Sequence, residues 1–343
     1  MRGVTAAGVR RIDETLRRRP PRSHRRSSRL RLLIPAIALV VLATGATVGS
    51  AAQPPAPPYP AGALAIATGE RGSVYYYYGL GLLDATRRAL PDLEPYLRVS
   101  PSSQRNVELL AQGEVQMAFS RADVAANLPR GQTDSLRALA RLYDDYLHLV
   151  VRDDSPIDDL ADLRGKRVSI GLRDSGIQRP VLDLLREAGM TQADFTLEWF
   201  GATESGEKLR TGTIDAFFFF GGVPTQGLVD LNLIGPRLRL IDLAEWAPKL
   251  REGYGGFYTT LTVPSSAYGM APITTVGVPT YLLAPEKMDP DLAYALTAML
   301  FTQRGILEGA HPAAKRLDRR AAINTRPITL HDGAARYYRD TKI

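Results

Sequence analysis

Leu64-Ala65-Ile66-Ala67-Thr68-Gly69-Glu70-Arg71-Gly72-Ser73-Val74-Tyr75-Tyr76-Tyr77-Tyr78-Gly79 carries the first reading of this chain. A short apolar run breaks at glycines and leads into a helical pattern. That arrangement puts free backbone N–H groups and a helix N-terminus at the carboxyl end of a strand, where anions and carboxylates bind well. The glycine spacing matches neither the dinucleotide fingerprint nor the lysine-containing phosphate loop, so no nucleotide is indicated. The stretch reads as one wall of a ligand cleft; the plain alternative is an ordinary strand–turn–helix junction packed with tyrosines.

Outward from this stretch, charge is distributed unevenly. The 343 residues carry a net charge of +7, yet residues 1–31 alone hold 11 arginines against Asp13 and Glu14. The remaining 32 basic and 34 acidic residues leave the body slightly acidic, so it lacks the basic footprint of a nucleic-acid-binding domain. With no cysteine, disulfides, thiolate metal sites, a cysteine nucleophile and lipobox acylation are excluded. His24, His148, His311 and His331 are far apart and lack metal-ligand spacing.

Leu32 to Val48 is uncharged and mostly apolar, and the next charged residue is Glu70. With the arginines before it and Gly49-Ser50-Ala51-Ala52 after it, residues 1–52 read as an export signal or as an uncleaved anchor with the arginines inside. Arg25-Arg26 fits a twin-arginine signal only loosely. Residues 53–62 form a linker with prolines at 54, 55, 57, 58 and 60, a polyproline II stalk or a disordered leader.

From Leu64 onward strand and helix patterns alternate, which predicts an α/β fold with a largely parallel sheet. Helices are expected over 80–90, 106–112, 181–188, 204–211, 290–302 and 332–340. Strands are expected over 97–100, 115–119, 147–151, 166–170, 195–200 and 276–283. Phe217 to Phe220 suit a strand covered on both faces, most of them in the core and one or two lining a cleft.

Polar, glycine-rich turns follow Ala67, Val99, Phe119, Ile170 and Phe220. Their order and spacing resemble those of the TAXI family, the extracytoplasmic solute receptors of one class of TRAP transporters, over about residues 62–340. The motifs are Thr68, Gly69, Gly72, Tyr75, Tyr76 and Gly79; Ser103 with Asn106; Arg121-Ala122-Asp123-Val124; Leu163 to Gly171; Asp174 to Ile177; Asp215 to Pro224; and Leu330 to Ala334 with Arg336 to Arg339. Three departures stand out. Asp174 and Ile177 replace a glycine and a threonine, Pro180 falls early in the following helix, and Arg121 replaces a glutamine with a fork of donors suited to a carboxylate.

The resemblance implies a two-domain periplasmic-binding-protein-like fold of type II with a hinge of crossing strands, near 147–152 and 263–276. Domain I would comprise 63–150 and 265–343, and domain II 151–264. It implies a small carboxylate ligand, amino-acid-like or dicarboxylate-like, delivered to TRAP membrane subunits by a monomeric receptor outside the cytoplasm. Candidate contacts are Arg71, Ser73, Tyr75, Tyr76, Ser103, Asn106 and Arg121 from one wall, with Ser175, Gly176 and Pro224 from the other. No cofactor, metal or nucleic acid is expected, and no catalytic residue, since no nucleophile–base pairing, metal cluster or phosphate loop is visible. The competing function is a membrane-tethered ligand sensor, held through residues 32–48, that signals to a partner.

Overall fold

The computed structural model describes residues 61–129, 134–173 and 175–342. The expectations for the export signal or anchor, for most of the linker and for Asp174 therefore lie outside the described residues. Residues 55–343 group as one unit by their contacts.

The opening stretch folds as β1 (Gly62–Thr68), a turn, and α1 (Val74–Ala89). Gly72 turns the chain at φ +91°, a conformation that side-chain-bearing residues rarely adopt, and Ser73 caps the helix by accepting from Tyr76 N–H at 3.2 Å. The helix begins six residues before the expected Leu80, so the tyrosine run is its first turn. β1 alternates as a strand must. Leu64 and Ile66 join the apolar cluster that contains α1, while Ala65 and Ala67 join the cluster on the opposite face.

Among the described residues ten strands form one mixed sheet, which agrees with the α/β expectation but not with a largely parallel sheet, since its central strands pair antiparallel. β2 (Leu93–Val99) and β3 (Met117–Arg121) flank β1 in parallel; β6 (Thr196–Glu198) and β7 (Ala216–Gly221) flank β5 (Arg167–Ser169) in parallel. Between these sets run two long antiparallel strands, β4 (Leu136–Arg152) and β10 (Ile273–Pro285). β8 (Leu238–Leu240) pairs with β4 and β9 (Thr259–Val263) with β10.

The register locates the site. β10 is antiparallel to both β3 and β4, so β3 runs in the direction of β4, whereas β7 runs against it. Arg121 at the end of β3 and Tyr143 of β4 both pair with Thr280, and Gly221 at the end of β7 pairs with Tyr146. The carboxyl ends of the two parallel sets therefore converge on Tyr143–Tyr146. The crossing lies a few residues before the expected 147–152, because β4 begins eleven residues earlier than its apolar core, and the return on β10 lies at Gly277–Thr280.

Helices cover both faces of the sheet. α2 (Ser103–Ala111), capped by Ser102, packs behind β3, and the short α3 (Ala122–Ala126) follows β3 directly. The helix Gln178–Glu187 contains Pro180 in its first turn, where no intrahelical N–H bond is required, so proline does not delay its start. Helices over Gln226–Ile234 and Trp246–Tyr254, like β8 and β9, had no counterpart in the sequence reading. The C-terminal helix Asp332–Asp340 packs on Pro290–Thr302 through Phe301 stacked on Tyr337, ring centroids 5.7 Å apart.

Candidate functional site

A cavity of about 450 Å³ opens where the strand ends converge, a size typical of small-molecule sites. One wall comes from the β1–α1 turn (Gly69 to Tyr75), the N-terminus of α2 (Ser102, Ser103) and Arg121. The other comes from Gly171 and Leu172, Ser175 to Ile177, Gly201 to Thr203, and Thr225 to Leu228 with Asp230 and Leu231. Four helices of nine or more residues direct their N-terminal ends at it: α1, α2, Ala202–Arg210 and Gln226–Ile234. Their free N–H groups and dipoles favour an anionic group in the cleft.

Seven of the ten expected contact residues line this cavity: Arg71, Ser73, Tyr75, Ser103, Arg121, Ser175 and Gly176. Three do not. Asn106 is fully buried, its amide bridging Ser100 Oγ (2.5 Å) and the Phe119 carbonyl (2.9 Å), so it fastens α2 to β3. Tyr76 stacks edge-on with Tyr77, and in a helix the side chain that lines the cavity is Tyr77. Pro224 lies just outside, with Gly221 and Thr225 lining the cavity on either side of it.

Arg121 is not the free fork that its sequence position suggests. Its Nε and Nη2 donate to both oxygens of Asp123, at 2.9 and 2.7 Å, and Nη2 also donates to the Gly176 carbonyl at 2.7 Å. Burial alone works against its charge, but Asp123 more than compensates and holds the guanidinium protonated. The guanidinium carbon sits 4.1 Å from the Phe220 ring centroid, so Arg121 touches both walls and roofs the one half-buried phenylalanine of the run. At Gly176 the walls are so close that a Cβ would come within 2.9 Å of Val124 Cγ2. Arg71, in contrast, is exposed and forms no ion pair among the described residues.

Among the cavity residues that escaped the sequence reading, two lie at its centre of charge. Tyr143 and Asp145 come from the crossing segment of β4 and line the cavity, with 2 % and 4 % exposure. Asp145 Oδ2 accepts from Thr280 Oγ1 (3.1 Å) and Tyr75 Oη (3.3 Å); Tyr75 Oη also meets Ser103 Oγ at 3.2 Å. Burial pushes the Asp145 carboxyl up to about 6, opposed by the Arg121 charge and these two hydrogen bonds. Burial and then the Asp145 charge raise the Tyr75 phenol as well. Tyr143 Oη forms no well-aligned hydrogen bond, although Thr280 is close enough to act on it, and Ser175 Oγ has no partner either.

No group of three or more histidines, aspartates or glutamates with metal-binding geometry occurs among the described residues. His148 is buried against Phe219, ring centroids 4.2 Å apart, between the Tyr146 carbonyl and the Tyr268 hydroxyl; burial pulls its pKa down to about 3. A second hollow, near Ala89, Tyr294 and Ala298, is lined by the Asp291–Arg336 ion pair and by Asp340.

The profile of the NMT1-like family matches residues 66–341, most of the chain and every element that builds the cleft. The chain belongs to the NMT1-like family. Among solved structures, this NMT1-like chain is similar to the periplasmic aliphatic sulphonate binding protein SsuA from Escherichia coli, at 15% identity and a TM-score of 0.48, over 82% of this chain and 83% of that one. It is also similar to XAC2383 from Xanthomonas citri bound to chloride ion, at 18% identity and a TM-score of 0.49, over 81% and 99%. A putative L-cystine ABC transporter from Listeria monocytogenes matches at 15% identity and a TM-score of 0.48, over 74% and 95%. At these identities and scores no ligand or residue role is carried over from them. Among the described residues, no helix is long and apolar enough to cross a membrane.

Proposed function

We propose that this NMT1-like chain is an extracytoplasmic receptor that captures a small solute bearing a carboxylate and delivers it, in the manner of TAXI receptors, to the membrane subunits of a TRAP-type transporter. The observation that carries this reading is the cleft itself: strand carboxyl ends and four helix N-termini face one cavity from two walls. Such a site holds an anion without chemistry on it. Arg71 at the rim supplies a cation that forms no ion pair among the described residues. Ser73, Tyr75, Ser103, Ser175 and Gly176 supply hydroxyl, aromatic and backbone contacts. The charge run and apolar segment at the N-terminus support export.

The division into 63–150 plus 265–343 against 151–264 is proposed as the pair of bodies that move. Solute closes them only if it binds the closed form better than the open one. The test is a thermal-shift screen of the purified full chain against amino acids, di- and tricarboxylates, 2-oxoacids and sugars, with calorimetry on each hit. A solute that binds the folded form at a hundredfold excess over its Kd adds about 2.7 kcal/mol of stability. A carboxylate hit recovered chemically unchanged supports the reading. Stabilisation by sugars alone, or consumption of the hit, refutes it.

A further inference from the structure

The charges around the cavity do not match a ligand that is only an anion. Glu70, Asp145 and Asp230 line it against Arg71 and Arg121, and Arg121 is already matched by Asp123. The helix ends supply positive potential along the walls, but the floor between them belongs to β4 and holds a carboxylate. Of the two Asp145 oxygens, Oδ2 takes both hydrogen bonds, from Tyr75 and Thr280, and Oδ1 takes none. Beside it the Tyr143 hydroxyl is buried, lines the same cavity and has no well-aligned partner.

The groups facing Asp145 from the surrounding elements are Tyr75 on α1, Thr280 on β10, Tyr143 on its own strand, and Arg121 with Asp123 at the β3–α3 junction. None is a cation free to neutralise it. Enclosed by aromatic rings and hydroxyls, this oxygen is set up for a cation that arrives with the ligand.

Resting on the receptor reading above, we propose that the floor of the cleft binds a protonated amine of the solute on Asp145, with the Tyr143 hydroxyl beside it, while the solute's carboxylate turns toward Arg71 and the helix N-termini. The solute is then an amino-acid-like zwitterion, and dicarboxylates without an amine are excluded. The burial that holds the Asp145 carboxyl near 6 when the cleft is empty makes binding proton-linked: an ammonium group favours the ionised form, so a proton leaves as the amine enters.

Isothermal titration of the full chain with three matched triads tests this: L-leucine, 3-methylbutylamine and 4-methylpentanoate; L-glutamate, 4-aminobutanoate and glutarate; L-phenylalanine, 2-phenylethylamine and 3-phenylpropanoate. At pH 7.5 the expected result is that, in the triad that binds, the amino acid binds at least about tenfold tighter than its deaminated partner. The preference shrinks toward pH 5 and is lost in Asp145→Asn. Titration at pH 6 in buffers of different ionisation heat is expected to show release of about half a proton from the unaltered protein, a readout that does not depend on the variant folding. Deaminated carboxylates that bind as tightly as the amino acids, or amine binding without proton release, overturn the amine site and leave the receptor reading standing. 3-Methylbutylamine or 2-phenylethylamine binding as well as its amino acid sustains the amine site and overturns the carboxylate part of that reading, whereas tight binding of 4-aminobutanoate, which keeps one carboxylate, sustains both. No binding in any triad overturns the amine site and leaves the receptor reading to the thermal-shift screen.

Discussion

Replacing Arg121 separates its part in holding the fold together from any part in ligand capture. Arg121→Met keeps an apolar stem against Phe220 but removes both bonds to Asp123 and the bond to the Gly176 carbonyl. Asp123 is 3 % exposed and would be left as a buried carboxylate with no cation. Removing one partner of a buried pair costs about 3–5 kcal/mol, most of it the penalty of the orphaned charge. For a folded body of this size that amounts to a fall in melting temperature of roughly 5–9 °C. The double variant Arg121→Met, Asp123→Leu removes the orphan as well, and apolar replacement of a whole buried pair is often close to neutral. Differential scanning calorimetry of the single and double variants is the assay, and the double variant is expected to recover at least half of the loss. A single variant that melts within a degree or two of the parent, or a double variant that melts no higher than the single, refutes the assignment of Arg121 to the fold.

Three further outcomes are expected. In urea titrations from pH 4 to 8, Asp145→Asn gains stability over the parent as pH rises: the raised Asp145 pKa favours the folded state below about 4, and this is lost as pH passes about 6, a swing of roughly 3 kcal/mol. His148 acts in the opposite sense, its stabilising neutral form being lost as pH falls from 6.5 toward 3, so only the difference between parent and variant isolates Asp145; a flat difference contradicts the burial of its carboxyl. Asn106→Ala strands the Phe119 carbonyl, while the Ser100 hydroxyl keeps the Thr68 and Ser102 carbonyls as acceptors, and is expected to cost about 1–3 kcal/mol by thermal denaturation, with solute affinity of the folded protein unchanged; a selective loss of affinity would put Asn106 back in the site. Gly176→Ala crowds Val124 across the cleft and is expected to lower stability by about 1 kcal/mol, with Val124→Ala in the same chain restoring it; no loss in the single variant means the walls are not packed as described.

Local patterns were legible where one residue's chemistry decides the backbone. Gly72 announced the turn after β1, although the cap at Ser73 went unread because the helix was expected only from Leu80, and the helices Pro290–Thr302 and Asp332–Asp340 have the bounds that their patterns predict. β4 was read only over Leu147–Val151, because Arg137, Arg141, Asp144 and Asp145 break the apolar run of its first half. Those charges are tolerated because each meets a partner: Arg137 pairs with Glu286 and Asp145 with Tyr75 and Thr280, all outside the strand, while Arg141 pairs with Asp144 within it. No window along the strand contains Glu286, Tyr75 or Thr280.

The sequence alone determined the separation of an arginine-rich N-terminus from a slightly acidic body, the α/β grammar, and the strand–turn–helix corners whose glycines and hydroxyls line the cleft. These depend on composition and on neighbours within a few residues. Only the tertiary structure decided which charges face the ligand. Arg121 looked like a free fork of donors and Asp145 drew no reading at all, yet one is taken by Asp123 and the carbonyl of Gly176, 55 residues away, and the other meets a threonine 135 residues away. Successive residues of a strand point to opposite faces, so Asp144 and Asp145 part company at the crossing: one pairs with Arg141, and the other lines the floor of the cleft. That choice is made by the pairing of β3, β10, β4 and β7, which brings distant strand ends to one place.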